Sequence, residues 1–203
     1  LAIDDNKGTI TTRRFLYLPD GVYRVSDTLI AGRNAGEGII IHGQSATGTI
    51  IKLDDDLPAF QSPTPVILTS DRARDPDRSF SNIAFMNSIF SLTVDVGAGN
   101  PGAIGIEFIA NNQGALRDVI VRSSDPEKRG YAGIDMSLEK IPGPALVSRT
   151  FIDGFDYGIR IAHPNYGMTF EHVTLHNQRI AGVYNSNNIL NIRNLSTRLP
   201  GPG

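Results

Sequence analysis

Apolar residues along this chain alternate with polar ones at a period of two in short runs, and the runs are bounded by Gly, Asn, Asp and Pro. That pattern predicts many short strands and few helices. Four runs open on glycine followed by an aliphatic residue: GIEFIAN from Gly105, GIDMSLE from Gly133, GIRIAHP from Gly158 and GVYNSNN from Gly182, at offsets of 28, 25 and 24 residues. A second set lies between them: IFSLTVD from Ile89, LRDVIVR from Leu116, VSRTFID from Val147, FEHVTLH from Phe170 and IRNLSTR from Ile192, at offsets of 27, 31, 23 and 22. Two interleaved ladders with one shared spacing do not suit a sandwich or a βαβ fold. They predict a solenoid in which each repeat buries its apolar face on the next. Each repeat holds two short strands and leaves little room for a helix, so the expected class is all-β, a right-handed parallel β-helix. FLYLPDGVYRVSDTLI and GIIIHGQSATGTIIKL read as its first coils, giving roughly six to seven coils in a single domain over residues 1–203.

Stacked coils turn the repeats into columns, with neighbours about 4.8 Å apart. In the glycine ladder Ile106, Ile134, Ile159 and Val183 share an inward position, and the next, outward, position holds Glu107, Asp135, Arg160 and Tyr184. Two carboxylates side by side, with a guanidinium on the following coil, form the most enzyme-like constellation in the sequence. Carboxyl groups at roughly 5 Å suit a retaining glycosidase, one as acid/base and one as nucleophile. Glu107 and Asp135 are therefore the catalytic candidates, with Arg160 and Tyr184 as substrate-binding neighbours. The competing reading is a solvated ladder of mixed charge, in which Asp135 and Arg160 are a cross-strand ion pair.

The second ladder gives the columns Asp95, Arg122, Asp153, His176 and Ser91, Asp118, Arg149, His172, Asn194. The latter falls where the coil bends between strands, and polar stacking along the axis is expected there. Asp95 ends its strand beside a turn and joins the substrate-binding candidates. So does His163, which stands in RIAHPNYG past the glycine ladder and shares a turn with Asn165 and Tyr166. His172 and His176 have the i, i+4 spacing of a helical zinc site, but on a strand they lie roughly 13 Å apart and cannot chelate. Sugar-stacking aromatics are few: there is no Trp, and Tyr131, Tyr157, Tyr166 and Tyr184 are the candidates.

Residues 97–102 match G-x-G-x-x-G after an apolar strand, the pattern of a dinucleotide site. A nucleotide cradle needs a helix to begin at those glycines. Here Pro101 interrupts, and AIGIEF continues with a strand's period, so the loop is expected to be a turn between strands and the rim of a sugar groove. GQSATG (residues 43–48) is not G-x-S-x-G and no helix follows, which argues against a serine hydrolase. Asp54, Asp55 and Asp56 before Leu-Pro fit a solvated turn, with calcium as the other possibility and no motif to support it. The sign-alternating stretch DRARDPDR (residues 71–78) reads as a solvated loop. No other cofactor is implied.

Net charge is −2 over 203 residues with 20% charged, which argues against a nucleic-acid partner. No apolar stretch approaches the length of a membrane span. The absence of cysteine excludes disulfides and thiolate chemistry but leaves the compartment open.

On LYLPDGVYRVSDTLI, IIIHGQSATGTIIKL and the GI-x-I ladder, the chain resembles the pectate-lyase-like superfamily of β-helix proteins. Within it, SLTVDVGAGNPGAIGI, LRDVIVRS, GIDM and FDYGIRI are similar to the N-terminal β-helix of exo-β-1,3-glucanases (laminarinases) and to bacterial polygalacturonase-related proteins. The resemblance covers most of the chain and implies a polysaccharide or oligosaccharide partner and an extracellular or periplasmic location. It transfers no catalytic residue. The polygalacturonase D-D pair is absent from the matching coil, HGQ is what remains of G-H-G, R-I-A replaces R-I-K, and the calcium aspartates of pectate lyases do not align. Members usually begin with a capping helix, of which only LAIDD is like anything here, and the chain ends at RLPGPG shortly after a ladder strand. An open apolar edge is therefore expected, covered by more of a longer protein, a second domain or a partner subunit. The functional expectation is a polysaccharide-degrading, glycoside-hydrolase-like protein or the N-terminal part of one. The alternatives are a non-catalytic glycan-binding or scaffold module, and a polysaccharide lyase.

Overall fold

The computed structural model describes residues 14–31, 38–69, 85–137 and 142–198. LAIDD, DRARDPDR and the segment after Arg198 lie outside the described residues. The first coil is β1 (Arg14–Leu18), β2 (Gly21–Val25) and β3 (Leu29–Ile30), and the second is β4 (Ile39–Gly43), β5 (Thr49–Leu53) and β6 (Thr64–Leu68). From there each coil has one long and one short strand: β7 (Ser88–Asp95) with β8 (Ala103–Glu107), then β9 (Gly114–Arg122) with β10 (Ala132–Met136). β11 (Ala145–Asp153) is followed by β12 (Tyr157–Ala162), and β13 (Met168–His176) by β14 (Ala181–Ser186), before β15 (Leu190–Arg198) begins a further coil. A 3-10 turn at Pro58–Gln61 is the single helical element among the described residues.

Every strand pairing is parallel. The first sheet runs β1-β4-β7-β9-β11-β13-β15, with β2 and β5 joined alongside, and the second runs β3-β6-β8-β10-β12-β14. From β5 onward consecutive strands alternate between the two sheets, and each strand pairs with its counterpart one coil on. The described residues form a parallel β-helix of six coils and the opening strand of a seventh, as the ladder spacing requires. Register keeps Ile89, Leu116, Val147, Phe170 and Ile192 in one column, and Ile106, Ile134, Ile159 and Val183 in another. All but Ile192 and Val183 are fully buried, and burial of each such side chain contributes about 1.5–3 kcal/mol. Val183 lies in the sixth coil and Ile192 in the strand that opens the seventh, where Ile189 and Ile192 are exposed.

The bend inside each long strand falls on the second-ladder column. Ser91, Asp118, Arg149, His172 and Asn194 have φ of 53°, 56°, 46°, 52° and 56°. A left-handed residue that is not glycine costs about 1–2 kcal/mol, and stacking along the axis offsets it. Arg149 grips Asp118 with two hydrogen bonds of 2.6 and 2.7 Å, and Asn194 Nδ2 lies 3.3 Å from the His172 ring. In the second coil the bend is widened into Gln44–Gly48, so β4 and β5 both pair with β7. GQSATG is this insertion, with Ser45 Oγ donating to Asp20 and accepting from Gly48 N. Among the described residues, no helix is long and apolar enough to cross a membrane.

Candidate functional site

The second sheet assembles the charged column. Asp135 pairs in register with Glu107 on one side and Arg160 on the other, and Arg160 pairs with Tyr184. Alternation sends Ile106, Ile134 and Ile159 into the core, which leaves the charged neighbours on the opposite side of their strands. Sequence alternation treats that side as open to solvent. The fold does not: Glu107 and Asp135 are both 0% exposed. Period-two patterning identifies which face a residue takes but not what packs over that face, and here the column forms a sealed floor.

Asp135 is fully engaged. Arg160 Nη1 donates to Oδ2 at 2.8 Å, while Ser137 donates to Oδ1 from its backbone N at 2.8 Å and from Oγ at 2.6 Å. Arg160 sits among three tyrosines, its guanidinium carbon 4.9 Å from the Tyr131 ring centre, 5.3 Å from Tyr157 and 5.9 Å from Tyr184. The rings meet edge to face, Tyr131 with Tyr157 at 5.8 Å and Tyr157 with Tyr184 at 5.6 Å. Such cation–π contacts suit a weakly hydrated guanidinium held out of water. Arg160 Nε is buried with no hydrogen-bond partner among the described residues, so the rings and Asp135 carry its stabilisation. The column opens to solvent at Tyr184, which is 47% exposed. Chemically, the arrangement is a carboxylate pair on adjacent coils, a cation that neutralises one of them, and a ring at the surface able to stack on a sugar.

His163 joins this site through Ser137. Its Nε2 lies 3.2 Å from the Ser137 carbonyl, and since a carbonyl only accepts, Nε2 carries the proton. Asn188 Nδ2 donates to the His163 carbonyl at 2.6 Å, fixing a turn in which His163 has φ 73°. Tyr166, in the same turn, is half exposed. Ser137 itself was legible as a same-face neighbour, two residues beyond Asp135. The meeting of Tyr131 and Tyr157 over Arg160 was not, because Tyr131 precedes its strand.

Asp95 lies elsewhere, at the end of a first-sheet strand and 1% exposed. Register does place it in the column with Arg122, Asp153 and His176. Arg122 Nε donates to it at 2.8 Å, Gly97 N at 3.0 Å, and Ser124 Oγ also donates. The G-x-G-x-x-G turn follows directly, and Gly97 and Gly99 adopt φ of 69° and 70°. Its amides are already taken: Gly97 N by Asp95, Ala98 N by Asp55 and Gly99 N by Asp125. Three carboxylates thus occupy the donors that a phosphate would need. Asp54 pairs with Arg24 at 2.6 Å, so two members of the Asp triplet have partners within the fold. His172 stands at a bend and His176 packs on Phe151 at 5.0 Å. No group of three or more His, Asp or Glu able to hold a metal is present among the described residues.

Burial alone would push the Asp95 carboxyl up, but the hydrogen bonds from Ser124, Arg122 and Gly97 and the Arg122 charge outweigh it and hold the carboxyl below its usual range. Asp125 is likewise lowered: burial opposes, and the amides of Gly99 and Glu127 prevail. A carboxyl lowered in the folded state stabilises above its unfolded pKa, near 3.9, and loses that contribution as pH falls through the folded value. Asp95→Asn should therefore flatten the acid side of the stability profile between about pH 5 and the acid limit. Urea denaturation at stepped pH measures this, and a variant profile parallel to the wild type would contradict it.

The family model described as rhamnogalacturonase A/epimerase, pectate lyase-like, aligns with residues 1–198. No curated protein and no solved structure matches significantly.

Proposed function

The chain belongs to the rhamnogalacturonase A/epimerase, pectate-lyase-like family, which is carbohydrate-active, and on that premise we propose that it cleaves a polysaccharide by glycoside hydrolysis at the second-sheet column. The observation that carries this is the register of Glu107 against Asp135, with Arg160 paired to Asp135 at 2.8 Å. Neighbouring parallel strands lie about 4.8 Å apart, close to the separation of about 5–5.5 Å used by retaining glycosidases. Asp135, ion-paired to Arg160, suits the nucleophile that attacks the anomeric carbon, and because it and Glu107 are 0% exposed the attack requires the column to open beside Tyr184 as substrate enters. Glu107 suits the acid/base that gives a proton to the leaving oxygen and later takes one from water. Tyr184 would stack on a sugar unit at the mouth, and His163 would position Ser137 and through it Asp135.

The test is release of reducing ends from a panel of β-glucans and pectins. The wild type should act on at least one polymer, and Glu107→Gln and Asp135→Asn should each lower the rate about a hundredfold. Failure of the wild type on every polymer, or full activity in both variants, would sink the proposal.

One observation favours a second reading. Glu107 and Asp135 are completely covered, whereas Tyr184 and Tyr166 are about half exposed. A glycan-binding module would use the tyrosines alone, with the ion pair as their support. In that case Tyr184→Ala would abolish binding to a polymer that the chain never cleaves.

A further inference from the structure

The corner column of the first sheet ends on a residue whose chemistry neither the strand packing nor the second-sheet column uses. Of the fourteen asparagines in the chain, Asn194 alone is followed two residues on by Ser or Thr, in Asn194-Leu195-Ser196. That is the acceptor pattern for N-linked glycosylation, an amide two residues ahead of a hydroxyl with no Pro between them. Three residues match by chance in many chains, so the fold around them decides whether the amide can be reached.

On β15, register pairs Leu195 with Val173 and Ser196 with Thr174. Leu195 packs against the core, which leaves Ser196 on the outer side of the strand, exposed. Asn194 stands at the bend with φ 56° and is exposed as well. That exposure belongs to the corner rather than to the last described strand. Arg149 and His172 hold the same corner in coils with a neighbour on either side, and both are exposed. The buried asparagines differ: Nδ2 of Asn87 and of Asn100 each donates to two backbone carbonyls. Asn194 Nδ2 has only the His172 ring, at 3.3 Å, as a hydrogen-bond neighbour among the described residues. An amide carries two N–H groups and glycosylation consumes one, so that contact survives the modification.

We propose that Asn194 is an N-glycan acceptor. The donor is an oligosaccharide carried on a polyisoprenyl diphosphate. Nδ2 attacks the anomeric carbon of the first sugar, and the new C–N bond forms as the C–O bond to the diphosphate breaks. The polyisoprenyl diphosphate leaves with the electron pair, and the nitrogen gives up one proton. The Ser196 hydroxyl, on the same outer surface, is the group through which a transferase recognises the amide. The attached glycan extends from the corner into solvent and adds a bulky, solubilising group there. The site is independent of Glu107 and Asp135, which belong to the other sheet.

The experiment secretes the chain from a eukaryotic host behind a cleavable leader. Peptides of the soluble fraction are read by mass spectrometry before and after peptide N-glycosidase, which converts a glycosylated Asn to Asp. The wild type should carry glycan on the peptide holding Asn194 and on no other. Ser196→Ala should abolish it, whereas Ser196→Thr, which keeps the hydroxyl, should retain it. Asn194→Gln reads the same loss at the acceptor itself, should Ser196→Ala be poorly secreted. Because both side chains face outward, the glycosylated wild type and Ser196→Ala should melt within about 2 °C of each other. The proposal is overturned if the soluble wild type leaves Asn194 unmodified, if glycan appears only on aggregated chain, or if Ser196→Ala carries as much glycan as the wild type.

Discussion

Asp135→Ala should destabilise the protein by about 3–4 kcal/mol, the cost of removing one partner from a buried ion pair, and lower the melting temperature by roughly 6–16 °C for a chain of this size. The pair is sealed: Asp135 is 0% exposed and the Arg160 side chain 18%. Arg160 Nε has no partner among the described residues, so losing the carboxylate would leave the guanidinium held by tyrosine faces. The Ser137 amide and hydroxyl would lose their acceptor in the same step. Asp135→Asn keeps the shape and one acceptor oxygen, so its loss should be clearly smaller. Thermal and urea denaturation of the two variants supply the comparison. Equal melting temperatures for wild type and Asp135→Ala would mean that the pair contributes nothing to the floor of the site.

Gly102→Ala should cost about 3 kcal/mol, at the upper end for inserting a group where no space exists. A Cβ at this position would meet the backbone N of Ser62 at 2.6 Å and its carbonyl carbon and oxygen closer still. Gly102 N also donates to the Phe60 carbonyl at 2.8 Å, so the two coils touch backbone to backbone. Neither side has a flexible side chain that could yield. At Gly99 the requirement is a left-handed backbone, worth about 1–2 kcal/mol, and the neighbour of a new Cβ is the movable Asp56 side chain. The third glycine of the fingerprint is thus needed more than the second, and for coil packing rather than for a phosphate. Denaturation midpoints that rank Gly99→Ala below Gly102→Ala would contradict this.

The coil architecture was legible because a β-helix repeats its burial pattern, and each repeat is independent evidence for the same register. The alignment of GIEF, GIDM, GIRI and GVYN paired Ile106 with Ile134, Ile159 and Val183, and those are the pairings of the folded chain. The polar column from Ser91 to Asn194 fell on the left-handed bends for the same reason. Tertiary cover was not legible. Nothing in Glu107 or Asp135 distinguishes an open face from a sealed one, because the alternation ends at the strand. Convergence from turns was also out of reach: Asp125, which accepts the Gly99 amide at 3.0 Å, lies in SSDPEK, outside either ladder. The outer column of Tyr17, His42, Phe90 and Arg117 on the first sheet was not legible either, because its residue types change from coil to coil and only the register makes them one column.

Nuclear magnetic resonance of the first sugar released by the wild-type chain, read before mutarotation sets in, tests the carboxylate pair most directly. Neighbouring strands set the backbones of Glu107 and Asp135 about 4.8 Å apart, and a carboxyl pair at the retaining distance of about 5–5.5 Å leaves no room for a water to attack between them. The new reducing end should therefore keep the anomeric configuration of the bond that was cut. An inverted anomer, or an unsaturated product in place of a hydrolysed one, would contradict the assignment.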